Sequence, residues 1–318
     1  VKTLLSQPPS KSLQHREEEQ DVKNIGVVGC GLMGFGIAKN LLKHSYNVAV
    51  FDINKEAVKK LENEGAQSAE SVRTLAKEVD VLILSLPSPP LIEKLMTDSK
   101  DGAFDVMKKG TVILDMSTND VELTRKLYDK AKQQEIDYYD CPLSGGPAGA
   151  NDGTLTIMVG GKEEKFSTIL PVLQAVGEKI DYVGASGAGQ IVKLCNNMIV
   201  GGIISLVSEA LLTGEKAGVP KEKMAAIFQK GSAQTKVMDV FGPNIIADTF
   251  DEVKFSLANM MKDMNLYQYL AENVEVPALA SQSAHQLYQL ASYQDKGQKD
   301  STAVYEIIKQ LQKGETKN

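Results

Sequence analysis

The chain has 318 residues, 42% hydrophobic and 24% charged, which is enough for two ordinary soluble cores. Its formal net charge of -6 and the lack of any basic cluster argue against a nucleic-acid partner. Cys30, Cys141 and Cys195 form neither a metal spacing nor an even disulfide set, and His15, His44 and His285 are scattered, so no metal is expected and a reducing compartment is.

Residues 1 to 23 carry Pro8, Pro9 and the run Glu17, Glu18, Glu19 without apolar periodicity, and are expected to form a solvated tail. Lys2, Lys11 and Arg16 give that tail a faint organelle-targeting composition, but it lacks the apolar segment of a secretory signal; the expected location is cytoplasmic. From Asn24, short apolar runs alternate with helical segments. The runs are Ile25 to Val28, Val48 to Phe51, Val79 to Leu84, Thr111 to Leu114, Tyr138 to Asp140, Thr154 to Val159 and Lys179 to Val183. Ala38, Leu41 and Leu42 mark the first connecting helix, Ala57, Val58 and Leu61 the second, and another is expected near 163 to 176. Such alternation predicts parallel strands joined by crossover helices over residues 24 to 186. Beyond Gly189 only helical patterns remain, at 190 to 217, 221 to 230, 255 to 272, 277 to 293 and near 300 to 313, so residues 187 to 318 should be all-helical. The uncharged stretch Leu194 to Ser208 contains Asn196, Asn197, Gly201 and Gly202; it is expected to be too short and polar to cross a bilayer and to be a buried helix. The helix bearing it is apolar around most of its circumference, which predicts a homodimer or homotetramer formed through helical domains.

Gly29-Cys30-Gly31-Leu32-Met33-Gly34 follows a strand and opens a helix. In that context the first glycine permits a tight turn, the second lets a pyrophosphate approach the backbone, and the third lets helix and strand pack closely. Asp52 ends the second strand about 20 residues later, where an acid binds ribose hydroxyls and repels a 2′-phosphate; this predicts NAD over NADP. The bland alternative is that Asp52 caps the helix at 54 to 64.

Ser144, Gly145 and Gly146 lie just after the strand ending at Asp140, where a hydroxyl and bare amides suit a carboxylate, although a ligand-free glycine connection would look the same. Gly184, Gly187 and Gly189 precede Lys193, and Asn197 follows one turn later on the same helix face. Lys193 is followed by Leu194, Cys195, Asn196, Asn197, Met198, Ile199 and Val200, so it should be partly desolvated, with a lowered pKa suited to exchanging protons with an alcohol. Asn197 is expected to hold the ammonium or the substrate hydroxyl.

Four separated motifs, GCGLMG, DCPLSGGPAGANDGTLTIMVGG, GASGAGQIVKLCNN and MKDMNL, together resemble the β-hydroxyacid dehydrogenase family over residues 24 to about 312. The resemblance implies a Rossmann-type α/β dinucleotide-binding domain followed by an all-α domain, and hydride transfer between NAD(H) and a small β-hydroxy acid or its semialdehyde. It makes Lys193 the acid/base and Asn197 its partner, assigns the substrate carboxylate to Ser144, Gly145 and Gly146, and lines the cofactor with Leu86, Pro87, Thr118 and Lys262. Without it, Lys262 would read as a surface charge paired with Asp263. Phe35 and the pair Asn119-Asp120 depart from the family pattern and are expected to reshape the substrate pocket. A 6-phosphogluconate dehydrogenase would be longer and more basic at its phosphate site. An imine reductase-like enzyme usually lacks this lysine, and a non-catalytic NAD-binding scaffold would have little use for Lys193 and Asn197 together.

Overall fold

The computed structural model describes residues 22 to 313, so the expected tail at 1 to 23 lies almost wholly outside the described residues. One sheet contains β1 (Asn24–Val28), β2 (Asn47–Phe51), β3 (Gln67–Ser68), β4 (Val81–Leu84), β5 (Val112–Asp115), β6 (Asp137–Asp140), β7 (Leu143–Ser144), β8 (Leu155–Gly160) and β9 (Gly177–Gly184). The strand order is β3-β2-β1-β4-β5-β6-β8-β7, with β9 also on β8. From β3 to β6 every pairing is parallel, and the order reverses between β1 and β4, the place where such sheets open a crevice for a dinucleotide. The expected parallel arrangement stops there: β8 runs antiparallel to β6 and β7, because the chain doubles back through the short Leu143–Ser144 strand.

Helices α1 (Leu32–Lys43), α2 (Lys55–Asn63), α3 (Val72–Glu78), α4 (Pro89–Thr97), α5 (Val121–Gln133), α6 (Gly146–Asp152) and α7 (Phe166–Gln174) are interleaved with the strands. Alternation along the strands feeds two cores. Ile25, Val27, Val81 and Ile83 join one, and Val28, Leu82, Leu84 and Ile113 join the other. Covering both faces in this way explains why the strands read as near-continuous apolar runs.

The remaining described residues carry α8 (Ala188–Lys216), α9 (Lys221–Phe228), α10 (Lys236–Ala247), α11 (Leu257–Asn273), α12 (Leu279–Tyr293) and α13 (Val304–Lys313). Gly242 and Pro243 hide α10 from a periodicity reading. The helix still forms because Thr235 caps its start, accepting from the Met238 amide at 3.1 Å, and Met238 and Ile245 enter the helical core. The 29-residue α8 runs past both ends of the uncharged stretch, so by length and composition it could cross a membrane, contrary to the expectation from the shorter segment. Its Leu194, Ile204, Leu211 and Leu212 are buried, as in the central helix of a bundle, and α10 to α13 pack around it. Leu211→Ala should therefore cost about 2–5 kcal/mol in urea unfolding; a loss below about 0.5 kcal/mol would show that α8 does not centre the core.

Candidate active site

The glycine loop divides its work as the motif predicts. Gly29 has φ +94°, and a Cβ there would lie 2.2 Å from the Ser85 carbonyl oxygen; a Cβ on Gly34 would lie 1.8 Å from that of Gly29. Turn and close packing thus both require glycine. At Gly31, by contrast, a Cβ would meet nothing within 4 Å, which leaves its backbone open at the start of α1. No side chain caps that start and no acid occupies the first turn, so its amides are free for a pyrophosphate. Met33 is half-buried against the sheet core, whereas Leu32 is 71% exposed.

Asp52 holds the loop from the neighbouring strand end. Its Oδ2 accepts the Cys30 amide at 2.6 Å and its Oδ1 the Asn54 amide at 2.7 Å. The cap of α2 is Asn54, which accepts from the Glu56 and Ala57 amides, and this removes the capping alternative for Asp52. Ile53, 90% exposed beside that carboxylate, offers an apolar surface for a base, a residue the motif reading passed over. Leu86 completes the rim: its amide donates to Ser117 Oγ at 2.9 Å, and between β4 and α4 Leu86 is half-buried while Pro87 is exposed. These residues fit an NAD cofactor. Cys30, inside the loop, is no nucleophile, since burial and then Asp52 push its thiol up to about 12.

The second cluster draws on four distant segments. Lys193, 8% exposed on α8, donates from Nζ to the Leu143 carbonyl at 2.6 Å, which sets its ammonium beside Ser144 and the Gly145-Gly146 turn. The other side of that turn faces Lys254, whose carbonyl oxygen would lie 3.8 Å from a Cβ on Gly146. The side-chain hydrogen bonds of Asn197 go to groups other than the Lys193 ammonium. Its Nδ2 donates to Asp263 Oδ2 at 2.6 Å, while its Oδ1 accepts from Asn196 at 3.1 Å. Asp263, buried on α11, also meets Lys262 Nζ at 2.8 Å, and Lys262 donates to the Thr118 carbonyl at 3.0 Å. Lys262 is therefore both paired with Asp263 and seated on the cofactor domain. Burial holds the Lys193 pKa below the ordinary lysine value; the Asp263 charge opposes that shift and the Lys262 charge adds to it.

Below these groups lies a buried polar layer that no motif announced. Asp140 accepts the Gly187 and Gln190 amides at 2.8 and 3.0 Å. The Gln190 side chain accepts from the Asn119 amide and donates to the Ser117 carbonyl. Asp115 accepts from Asn119 and from the Tyr138 hydroxyl. Asn119 is thus fully buried, Asp120 caps α5, and Phe35 packs against the sheet core. Farther out, α11 reaches the cofactor domain again through Tyr269 and Asn273, both donating to the Glu122 carboxylate, at 3.0 and 3.2 Å.

Comparison with known proteins agrees with this layout. The model of the NAD-binding domain of 6-phosphogluconate dehydrogenase matches residues 24–184, and the model described as NAD-binding of NADP-dependent 3-hydroxyisobutyrate dehydrogenase matches residues 187–308. A Dictyostelium discoideum protein named as a probable mitochondrial 3-hydroxyisobutyrate dehydrogenase is 37% identical, the match covering 90% of this chain and 91% of the relative. A 2-(hydroxymethyl)glutarate dehydrogenase of Eubacterium barkeri is 35% identical over 92% of this chain and 97% of its own. The solved 3-hydroxyisobutyrate dehydrogenase of Mycobacterium tuberculosis, with L-serine, superposes with a TM-score of 0.82 at 27% identity, covering 90% of this chain and 99% of that one. The chain belongs to the β-hydroxyacid dehydrogenase family and is an NAD-dependent oxidoreductase acting on the CH–OH group of hydroxy acids.

Proposed function

We propose that the substrate is a small β-hydroxy acid or its semialdehyde, of the 3-hydroxyisobutyrate kind, and that Lys193 carries the proton. One observation carries the reading: Lys193, buried against the sheet edge, holds its Nζ on the carbonyl that precedes the Ser144 loop. The Ser144 hydroxyl and the amides of Gly145 and Gly146 receive the substrate carboxylate. NAD(H), when bound to residues 24 to 186, accepts or supplies the hydride. In alcohol oxidation neutral Lys193 takes the hydroxyl proton; in reduction its ammonium protonates the developing alkoxide. Asn197 acts with Asp263 beside the lysine, and Lys262 with Thr118 closes the nicotinamide end. Gly29, Gly31, Leu32, Met33, Gly34, Asp52, Leu86 and Pro87 make up the rest of the cofactor site.

Residues 187 to 318 complete the substrate site and carry association. Val192, Ile199 and Leu206, at seven-residue intervals along α8, are 41%, 53% and 68% exposed, an apolar stripe that favours a homodimer or homotetramer. The three free cysteines favour a reducing compartment such as the cytoplasm.

Lys193→Ala should lower kcat by about 10²–10⁴ while the Kd for NADH stays within about a factor of two; retention of more than about a tenth of wild-type kcat would mean that another group moves the proton. Because oxidation needs the neutral amine, its kcat should fall as pH drops through a pKa below that of free lysine, and reduction should show the opposite limb. Lys262→Met removes a like charge and should move that limb to higher pH; a shift downward would contradict the charge balance. The Asp52 carboxylate predicts kcat/KM for NAD on the order of 100-fold above NADP, narrowed by Asp52→Ser. Equal use of both cofactors by the wild type would refute that assignment. Light scattering at micromolar concentration should give a dimer or larger, and a monomer would overturn the association reading.

A further inference from the structure

Asp140 is an acid that the proton-transfer scheme does not use, yet it is wholly buried where the sheet meets the helical domain. It ends β6, three residues before the carbonyl that holds Lys193, and its two oxygens accept the amides of Gly187 and Gln190 at the start of α8. The surrounding backbone is built around this carboxylate. A Cβ on Gly160 would lie 2.6 Å from its Oδ1, and one on Gly189 would lie 2.9 Å from its Oδ2. Glycine at both positions lets β8 and the first turn of α8 close on it. Gln190 then ties the same turn to Ser117 and Asn119. Lys193 stands one turn beyond Gln190 on the same helix.

We infer that Asp140 is a positioning residue for Lys193: by accepting the two amides that begin α8, it fixes where the helix leaves the sheet and so keeps the lysine on the Leu143 carbonyl beside the Ser144 loop. The inference rests on the reading of Lys193 as acid/base. Ionisation matters, because a carboxylate accepts both amides, whereas a protonated carboxyl turns one oxygen into a donor facing an N–H and loses a bond. Burial pushes the Asp140 pKa up to about 6, against the lowering effect of the two amides, and the nearby Asp115 charge adds to the rise. The other groups around it are the Tyr138 hydroxyl and the Cys141 thiol, both pushed up by burial and neutral near that pH, the exposed Arg125 beyond Gly187, and Lys193 one turn along. The titration belongs to the Asp140–Asp115 pair, but the bonds to α8 are those of Asp140.

The reductive direction isolates this effect, since protonation of Lys193 alone would leave its kcat level toward acid pH. The wild type should instead lose reductive kcat as pH falls through about 6. The carboxylate substrate stays ionised there, with an ordinary pKa of about 4. Over the same interval, hydrogen exchange of the 187 to 193 amides, corrected for intrinsic rate, should quicken. In Asp140→Asn the amide NH₂ faces one of the two backbone donors. That variant should lose at least about tenfold in kcat at pH 7.5 and lack the acid limb, with NADH affinity unchanged and exchange at 187 to 193 already fast. A level reductive kcat down to pH 5 in the wild type would overturn the inference without any variant, so a failure of Asp140→Asn to fold does not shield it. It is likewise overturned if Asp140→Asn keeps wild-type kcat while Lys193→Ala is inactive. Were Lys193→Ala itself active, the acid/base reading would fail instead, and the exchange data would still decide whether Asp140 holds the helix.

Discussion

A lysine that must exchange protons near neutral pH has to be buried, and a buried ammonium has to be satisfied without being fixed in its charged form. The fold meets both demands by giving Lys193 a neutral acceptor, the Leu143 carbonyl, as its direct partner. The nearby Asp263 carboxylate is bonded to Asn197 and paired with Lys262. Had Asp263 bonded Lys193 directly, the ion pair would have raised the lysine's pKa and made the neutral amine scarce. Seating the lysine on a carbonyl at the sheet edge requires α8 to leave the sheet at one place, and that requirement explains the buried acid, the glycines pressed against it and the glutamine that crosses to the Ser117 segment.

The charges around Lys193 then work at one remove. Lys262 lowers its pKa and Asp263 raises it, so the two charges oppose one another and burial is the largest influence. Lys262 also donates to Thr118, which follows β5, so the charge that tunes the lysine is set by contact between the two domains. Tyr269 and Asn273 continue that contact along the same helix to Glu122 on α5. Helix α11 therefore links the electrostatics of the proton-carrying site to how closely the domains approach.

The sequence made some of this legible because some of it is local. The glycine loop, Asp52 and the strand alternation each depend on neighbours within one βαβ unit, and the helical second half follows from periodicity alone. The hydrogen bond of Asn197 to Asp263 was not legible, because Asp263 lies on α11 and sequence spacing says nothing about which helices meet. Asp140 and Asp115 carry no motif of their own; the arrival of α8 and Asn119 makes them buried acceptors. Helix α10 was hidden by Gly242 and Pro243, whose propensities are overridden by a threonine cap and core packing. The short β7 strand carries no periodic signal at all, yet its pairing with β8 fixes the Ser144 loop beside the lysine.

That contrast describes how the molecule divides its chemistry. The cofactor loop is assembled from residues 29 to 34 and 52 to 54, and its geometry is secured by backbone contacts inside one domain. The proposed proton-carrying site draws on β5, β6 with β7, α8 and α11 together, so it exists only when sheet and helices are docked. The open amides at Gly31 and the Asp52 carboxylate, by contrast, owe their places to contacts away from that junction. The loop proposed to hold the cofactor phosphates and the lysine proposed to carry the proton thus lie in different parts of the chain, and Lys262 on Thr118 connects them.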